Sequence, residues 1–372
     1  MTGAAMEAGS PKPEVRDILR LMAVPNIGPG RIRRLLSAFG SVEAILKAPY
    51  QKLVQIDGID RKLAAQLKQP VDESLIERQW HQIQRADLSL VSIWDSTYPA
   101  LLRRINDPPV LLFYRGHLPE SWPVCLAVVG TRRPSAYGKA VTAKLVAELV
   151  HRGVSIVSGL ARGIDTIAHY TALQRGGFTA AVLGCGADVV YPPENRKLYQ
   201  EIAQNGLLVS EFLPGTTPEA VNFPRRNRII TGLSVGLLVV EAGQKSGALI
   251  SARYALDQNR EVFAVPGQIT NPASAGTNRL IQQGAKLVQS VEDILEELPE
   301  LQGRATPAQP RDLPHLNELQ KRIMACLSTD PKHIDRLVME LRESPALVLS
   351  SLVELELMGL VRQLPGKMFI RM

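Results

Sequence analysis

VCLAVVGTRRPSAYGKAVTAKLVAELVHRGVSIVSGLARGIDTIAHYTA, residues 124–172, reads strand, glycine turn, helix, strand, glycine turn, helix. Cys125–Val129 and Ser155–Val157 are short apolar runs, as expected of parallel strands covered on both faces. Gly130 and Gly159 mark the strand ends, and an apolar pattern of helical period follows each turn. Such a unit sets two loops side by side at the carboxyl ends of adjacent strands, where open α/β sheets bind ligands. Both loops offer backbone N–H groups near helix N-termini together with Arg132, Arg133 and Arg162. That combination points to a phosphorylated ligand.

The alternation continues downstream. Strands are expected at 179–183, 207–210, 237–240 and 261–265, with helices near 194–205, 225–234, 248–259 and 277–284. The fold class is therefore α/β, with a doubly wound, mostly parallel sheet. Upstream, 111–114 reads as a strand leading into the unit, and 70–105 as a helix followed by a loop-like passage. From Val15 to Lys68 the pattern is helical with two similar turns, VPNIGPGRIRRLL and LVQIDGIDRKLAAQL, of helix-hairpin-helix type. The first turn either holds a phosphate with Arg31, Arg33 and Arg34 or serves packing alone, whereas Asp57 and Asp60 make the second a poor phosphate site. Residues 299–314 are Pro-rich and unpatterned, as in a linker. Helices near 316–327, 333–341 and 345–358, then a hairpin around Pro365–Gly366, follow the order of a winged helix; Ser344–Pro345 starts the third helix and Gly359 stops it. The expected domains are 14–97, 98–298, the linker 299–314, and 315–372, after a short flexible leader.

The chain has 372 residues, 45% hydrophobic and 21% charged, the balance of a soluble globular protein. It lacks a run of about 20 apolar residues, and its start, MTGAAMEAGSPKP, shows no basic-then-apolar signal. Cys125, Cys185 and Cys326 lie far apart, which argues against disulfides and zinc and suits a reducing cytoplasm. The net charge of +7 is spread thinly: +4 over 1–105, +2 over 106–307 and +1 over 308–372. A polyanionic partner must therefore meet a focused patch.

Several enzyme classes fail on residues. No dinucleotide GxGxxG follows Val129, and the chain has no Walker-type loop, no GxSxG on a strand-to-helix elbow and no metal-ligand spacing among its six histidines. No catalytic residue, metal or cofactor is assigned. The polar cluster with functional character is Asn222–Phe223–Pro224–Arg225–Arg226–Asn227–Arg228, with no acid among residues 220–240. A phenylalanine beside arginines suits unpaired nucleic acid, the ring stacking on a base and the guanidiniums holding phosphates. The alternative is an exposed helix start with Phe223 in the core. Asp165 is most simply a helix N-cap and His169 a structural helix residue. Ser158 either donates to a phosphate or shapes its turn. Glu211 and Glu241, at strand ends, are acid/base candidates without a nearby nucleophile in sequence, and Cys185 is a small residue in a tight loop.

Read together, GTR at 130–132 with Ser135 and Tyr137–Gly138, SGLARGIDTIAH at 158–169, FPRRNRIITGLS at 223–234, VVEAGQKSGALISA at 239–252, FAVPG at 263–267 and GTNRLIQQGA at 276–285 closely resemble the DNA-processing protein A (DprA/Smf) family. The resemblance spans nearly all of 98–290. It implies an extended Rossmann-like core with a SAM-like helix-hairpin-helix domain before it and a winged helix after it. It also implies a non-enzymatic, dimeric, cytoplasmic protein that binds single-stranded DNA and loads a RecA-type recombinase during natural transformation. The site residues it suggests, with their neighbours in the same loops, are Gly130, Thr131, Arg132, Ser158, Gly159, Arg162, Gly163, Phe223, Arg225, Arg226, Asn227 and Arg228. Thr131 stands where serine is common, and Pro193 where some relatives carry lysine. A rival reading is a phosphoribohydrolase-like enzyme on a similar fold, but PGQITNPASAGTN lacks that family's double glycine and glutamate.

Overall fold

A computed structural model describes residues 13–299, 316–328, 331–357, 360–364 and 366–371. The leader up to residue 12, most of the expected linker, Gly359 and Pro365 lie outside them. The chain divides into two compact units, Met1–Ala308 and Gln309–Met372.

Among the described residues, the larger unit is built on nine strands: β1 (Ser89–Ser92), β2 (Leu111–Gly116), β3 (Cys125–Val129), β4 (Ser155–Ser158), β5 (Thr179–Val182), β6 (Leu207–Ser210), β7 (Gly236–Val239), β8 (Glu261–Ala264) and β9 (Lys286–Leu287). Their order is β1-β2-β6-β5-β4-β3-β7-β8-β9. β3 to β9 pair in parallel, while β2 runs antiparallel to both β1 and β6. The central strand shows why the apolar runs lack polar alternation. Cys125, Ala127 and Val129 enter one core, Leu126 and Val128 the other, so both faces are covered by helices. Helix Ala136–His151 returns from β3 to β4, and Ile164–Gln174 from β4 to β5.

The strand expected at 111–114 is present as β2, and one expectation changes here. β2 precedes β3 in sequence but does not pair with it, because β4 and β7 already occupy both edges of β3. β2 instead joins β6. The passage before residue 98, read as loop-like, contains β1, which extends the sheet from its β2 edge.

The N-terminal helices, from Val15–Met22 to Glu73–Arg85, enclose a core of Ile18, Leu21, Ile32, Leu35, Ile45, Leu53 and Leu67 that continues onto Leu111 and Phe113 of β2. The second unit packs helices Glu318–Cys326, Ile334–Leu341 and Pro345–Leu357 around Ile323, Leu337, Val348, Leu352 and Phe369. Its strands β10 (Lys332–His333), β11 (Val361–Leu364) and β12 (Met368–Arg371) form the antiparallel wing, in the order β10-β12-β11. Among the described residues, no helix is long and apolar enough to cross a membrane, and no group of side chains could hold a metal ion.

Candidate nucleic-acid interface

The loops leaving β3, β4 and β5 converge with the start of helix Asn222–Gly232 on one open pocket. Arg132, Gly159, Arg162, Phe223 and Arg226 line it, with Leu160, Ala161, Leu183, Gly184, Cys185, Tyr191 and Pro192. The guanidinium carbon of Arg132 stands 5.6 Å from the Phe223 ring centroid. Tyr191 backs the same ring at 5.6 Å, tilted by 32°. Phe223 is half-buried, and Arg132, Arg162 and Arg225 are exposed. The pocket thus offers an aromatic ring beside exposed cations, an arrangement suited to a base and its phosphates.

The floor is a turn under tension. Leu160, directly after Gly159, has φ of 54°, a left-handed conformation that a branched apolar residue adopts only when its surroundings impose it. Three buried side chains do so. Asp165 accepts from the N–H groups of Gly159 at 3.1 Å and Ala161 at 3.4 Å. Arg226 Nη1 donates to the carbonyl of Gly159 at 2.7 Å and also to that of Val182. Asn195 Nδ2 donates to the carbonyl of Leu160 at 2.9 Å. A Cβ on Gly159 would lie 2.5 Å from Arg226 Nη1, so this position requires glycine. Gly184 plays the same part beneath the stack, since a Cβ there would lie 2.7 Å from Phe223 Cδ1.

Burial dominates the electrostatics below the pocket. It pushes the Arg226 guanidinium down to about 10, against the opposing attraction of Asp165. It pushes the Asp165 carboxyl up and the His169 imidazole down to about 3. His169 is neutral at physiological pH, its Nδ1 bonded to Thr179 Oγ1 at 2.7 Å. Cys185 is likewise pushed up, to about 11, which leaves its thiol unreactive.

Three comparisons bear on this architecture. The model of DNA recombination-mediator protein A matches residues 89–299, that of the DprA winged helix domain 307–367, and that of the SAM-like helix-hairpin-helix tandem 18–69. The chain belongs to the DprA/Smf family. Protein Smf of Synechocystis is 34% identical, covering 94% of this chain and 96% of its own. DNA processing protein DprA of Bacillus subtilis is 43% identical over 65% of this chain and 82% of its own. The X-ray structure of DprA from Streptococcus pneumoniae superposes with a TM-score of 0.68 at 37% identity, covering 77% of this chain and 99% of that one. A DprA structure from Helicobacter pylori, described for its single-stranded DNA binding mode, superposes with a TM-score of 0.51 at 34% identity, over 57% and 96%.

Within this DprA/Smf fold the residues singled out from sequence separate into two groups. Arg132, Gly159, Arg162, Phe223 and Arg226 meet at the pocket, and Arg225 stands exposed with its guanidinium 5.8 Å from the Phe212 ring. The others are turned to structural work. Ser158 is fully buried and donates to the carbonyl of Val128 at 2.6 Å, so its hydroxyl shapes the turn and is not presented to a ligand. Arg228 is withheld from solvent and forms a bidentate pair with Glu211 at 2.9 and 2.6 Å. Asn227 Oδ1 accepts from Arg226 Nε at 3.2 Å. Gly130 lies under Ile164, Thr131 donates its N–H to the carbonyl of Glu241, and Gly163 packs on the backbone of Thr131 and Arg132. These three shape the β3 loop from behind.

Other expectations are also corrected. Asp165 is not the N-cap of its helix; Gly163 is, and the carboxylate reaches back to the turn. Glu211 is committed to Arg228. Glu241, 2% exposed, accepts at 2.8 Å from the N–H of Ser135, the N-cap of helix Ala136–His151, and so holds the start of that helix. In the first hairpin, Arg31 donates to the carbonyls of Gly58 and Asn26, Arg34 to that of Asp57, and Arg33 to that of Asn106. These arginines brace the second hairpin and the core, which favours the packing reading. Tyr191, Gly184 and Asn195 escaped the sequence analysis; the aromatic beside a proline in YPPEN was the signal available for Tyr191.

Proposed function

We propose that this member of the DprA/Smf family is a non-enzymatic single-strand DNA binder, acting as a dimer, that hands the strand to a RecA-type recombinase during uptake and recombination of DNA. The observation that carries the reading is the Arg132–Phe223 pair over the Gly159 turn. A flat ring accepts a base only when that base is unpaired, since duplex stacking hides base faces. Arg132 and Arg162 beside it are placed for the flanking phosphates. Support also comes from the H. pylori relative, described as binding single-stranded DNA, and from the recombination-mediator description of the matching family.

The test is oligonucleotide binding at fixed salt, run beside a nucleotide-turnover assay and a recombinase-loading assay. Tighter binding to single strands than to blunt duplex of equal length, with little sequence preference, is expected. Equal affinity for both, or turnover of a nucleotide at ordinary enzyme rates without strand binding, would sink the proposal.

A further inference from the structure

We infer that Glu194 is an internal competitor for the strand phosphate at Arg162, an inference that rests on the single-strand reading of the pocket. Arg162 Nη2 donates to Glu194 Oε1 at 2.6 Å, and the two side chains are 58% and 60% exposed, so the pair stands at the pocket mouth. Arg162 closes the turn after β4, and Glu194 follows Tyr191 and Pro192 on the facing wall.

Structural necessity does not explain this contact. Asn195, buried next door, already ties the same two segments through Leu160 O and Thr166 Oγ1, both at 2.9 Å. An exposed ion pair beside that buried tether adds little to the fold. What it does accomplish is chemical. A carboxylate offers a guanidinium the same two-oxygen acceptor as a phosphate does. Its own backbone N–H and Arg162 hold the Glu194 carboxyl below the usual range, so it is charged at neutral pH. A phosphate reaching Arg162 must displace Glu194 and then lie beside it as a like charge. Arg132, by contrast, faces the Phe223 ring and meets a phosphate without such an exchange. Glu194 therefore weakens capture at one of the two cations and leaves the Arg132–Phe223 half to initiate binding.

The experiment measures affinity of the full chain for an oligothymidine strand across a salt series, with thermal melts alongside. Glu194→Gln should bind roughly two- to fivefold tighter and show a steeper salt dependence. The gain should vanish in the Arg162→Ala background, where no competition remains. Glu194→Ala repeats the test without an amide that could re-form the contact. No gain, a loss, or an equal gain with and without Arg162 overturns the inference, the last because it would report only removal of a nearby negative charge. Arg132→Ala and Phe223→Ala separate this failure from that of the pocket. If they weaken binding while Glu194→Gln does nothing, competition alone is wrong; if they also do nothing, the pocket reading falls.

Discussion

The Arg132 guanidinium lies over the Phe223 ring, 5.6 Å from its centroid, although 91 positions of sequence separate the two residues. The pair joins the loop after β3 to the first turn of helix Asn222–Gly232. In the free protein the cation covers an aromatic face that would otherwise be wet. A base entering the pocket competes for that face and leaves the guanidinium to its phosphate.

Arg132→Ala and Phe223→Ala should therefore fail differently. Loss of Arg132 lowers affinity and reduces the salt slope by about 0.7, one single-strand phosphate contact. Loss of Phe223 costs roughly 1–3 kcal/mol of binding and leaves that slope nearly unchanged. Affinity measured across a salt series decides it. Early melting of Phe223→Ala with normal binding when folded would show the ring to be core and remove the stacking role.

Gly184→Ala should impair binding with little loss of stability. The added methyl would start 2.7 Å from Phe223 Cδ1, and that half-buried ring can swing outward to relieve the clash. Gly159→Ala has no such exit, because the methyl would press on the fully buried Arg226 guanidinium. Overpacking of that kind costs about 1–3 kcal/mol, so its Tm should fall as well as its affinity. Melts and binding curves on both variants test the distinction.

Glu211→Ala should be destabilising without being a binding mutation. It leaves Arg228, whose side chain is 8% exposed, without its bidentate partner and with Asp107 Oδ2, 3.5 Å from Nε, as its remaining carboxylate contact. Removing one member of a buried pair costs about 3–5 kcal/mol, to be read as a lower denaturant midpoint. Conditions that keep the variant folded should restore near-normal strand affinity. A large affinity loss there would show that Arg228 reaches the ligand.

Acid sensitivity should carry a signature of His169. Its folded pKa of about 3 lies below the unfolded value of 6.5, so between these the unfolded chain holds the proton and the folded one does not. The contribution is complete above about pH 6.5 and is lost as pH falls toward 3, at up to about 1.4 kcal/mol per pH unit. His169→Asn should flatten the pH dependence of unfolding in that window. Asp165, raised by burial, has the opposite sign, favouring the fold at low pH and losing that contribution as pH rises through its titration. It is common to both proteins, so the difference between their curves isolates the histidine. Parallel curves would show that His169 does not titrate as its burial implies.

Removing Gln309–Met372 should leave most single-strand affinity intact. Its third helix, Pro345–Leu357, where a winged helix would place DNA-contacting cations, contains two glutamates and no lysine or arginine. Leu347, Leu349 and Val353 on it are exposed, which suits contact with protein more than with phosphate. A large affinity loss in a folded truncation would make this unit a DNA clamp.

The sequence by itself determined what depends on neighbours in the chain. Apolar runs such as Cys125–Val129 require a strand buried on both faces, and glycine turns followed by helical periods require the βαβ alternation. The loops bearing Arg132 and Gly159 follow directly, as does the helix expected near 225–234, which the structure places at Asn222–Gly232. Tertiary structure decided which edge each strand joins and what each arginine does. NFPRRNR looks like one cationic patch, yet the helix turns Arg225 to solvent, drives Arg226 beneath Gly159 and delivers Arg228 to Glu211. The partners that settle those fates lie 67 and 17 positions away, and the hairpin arginines find theirs at separations of up to 73. Periodicity reports which face of a helix is apolar. It carries no information on a buried carbonyl or carboxylate that the fold brings from elsewhere, and for a long cation that partner decides between holding the protein together and holding a ligand.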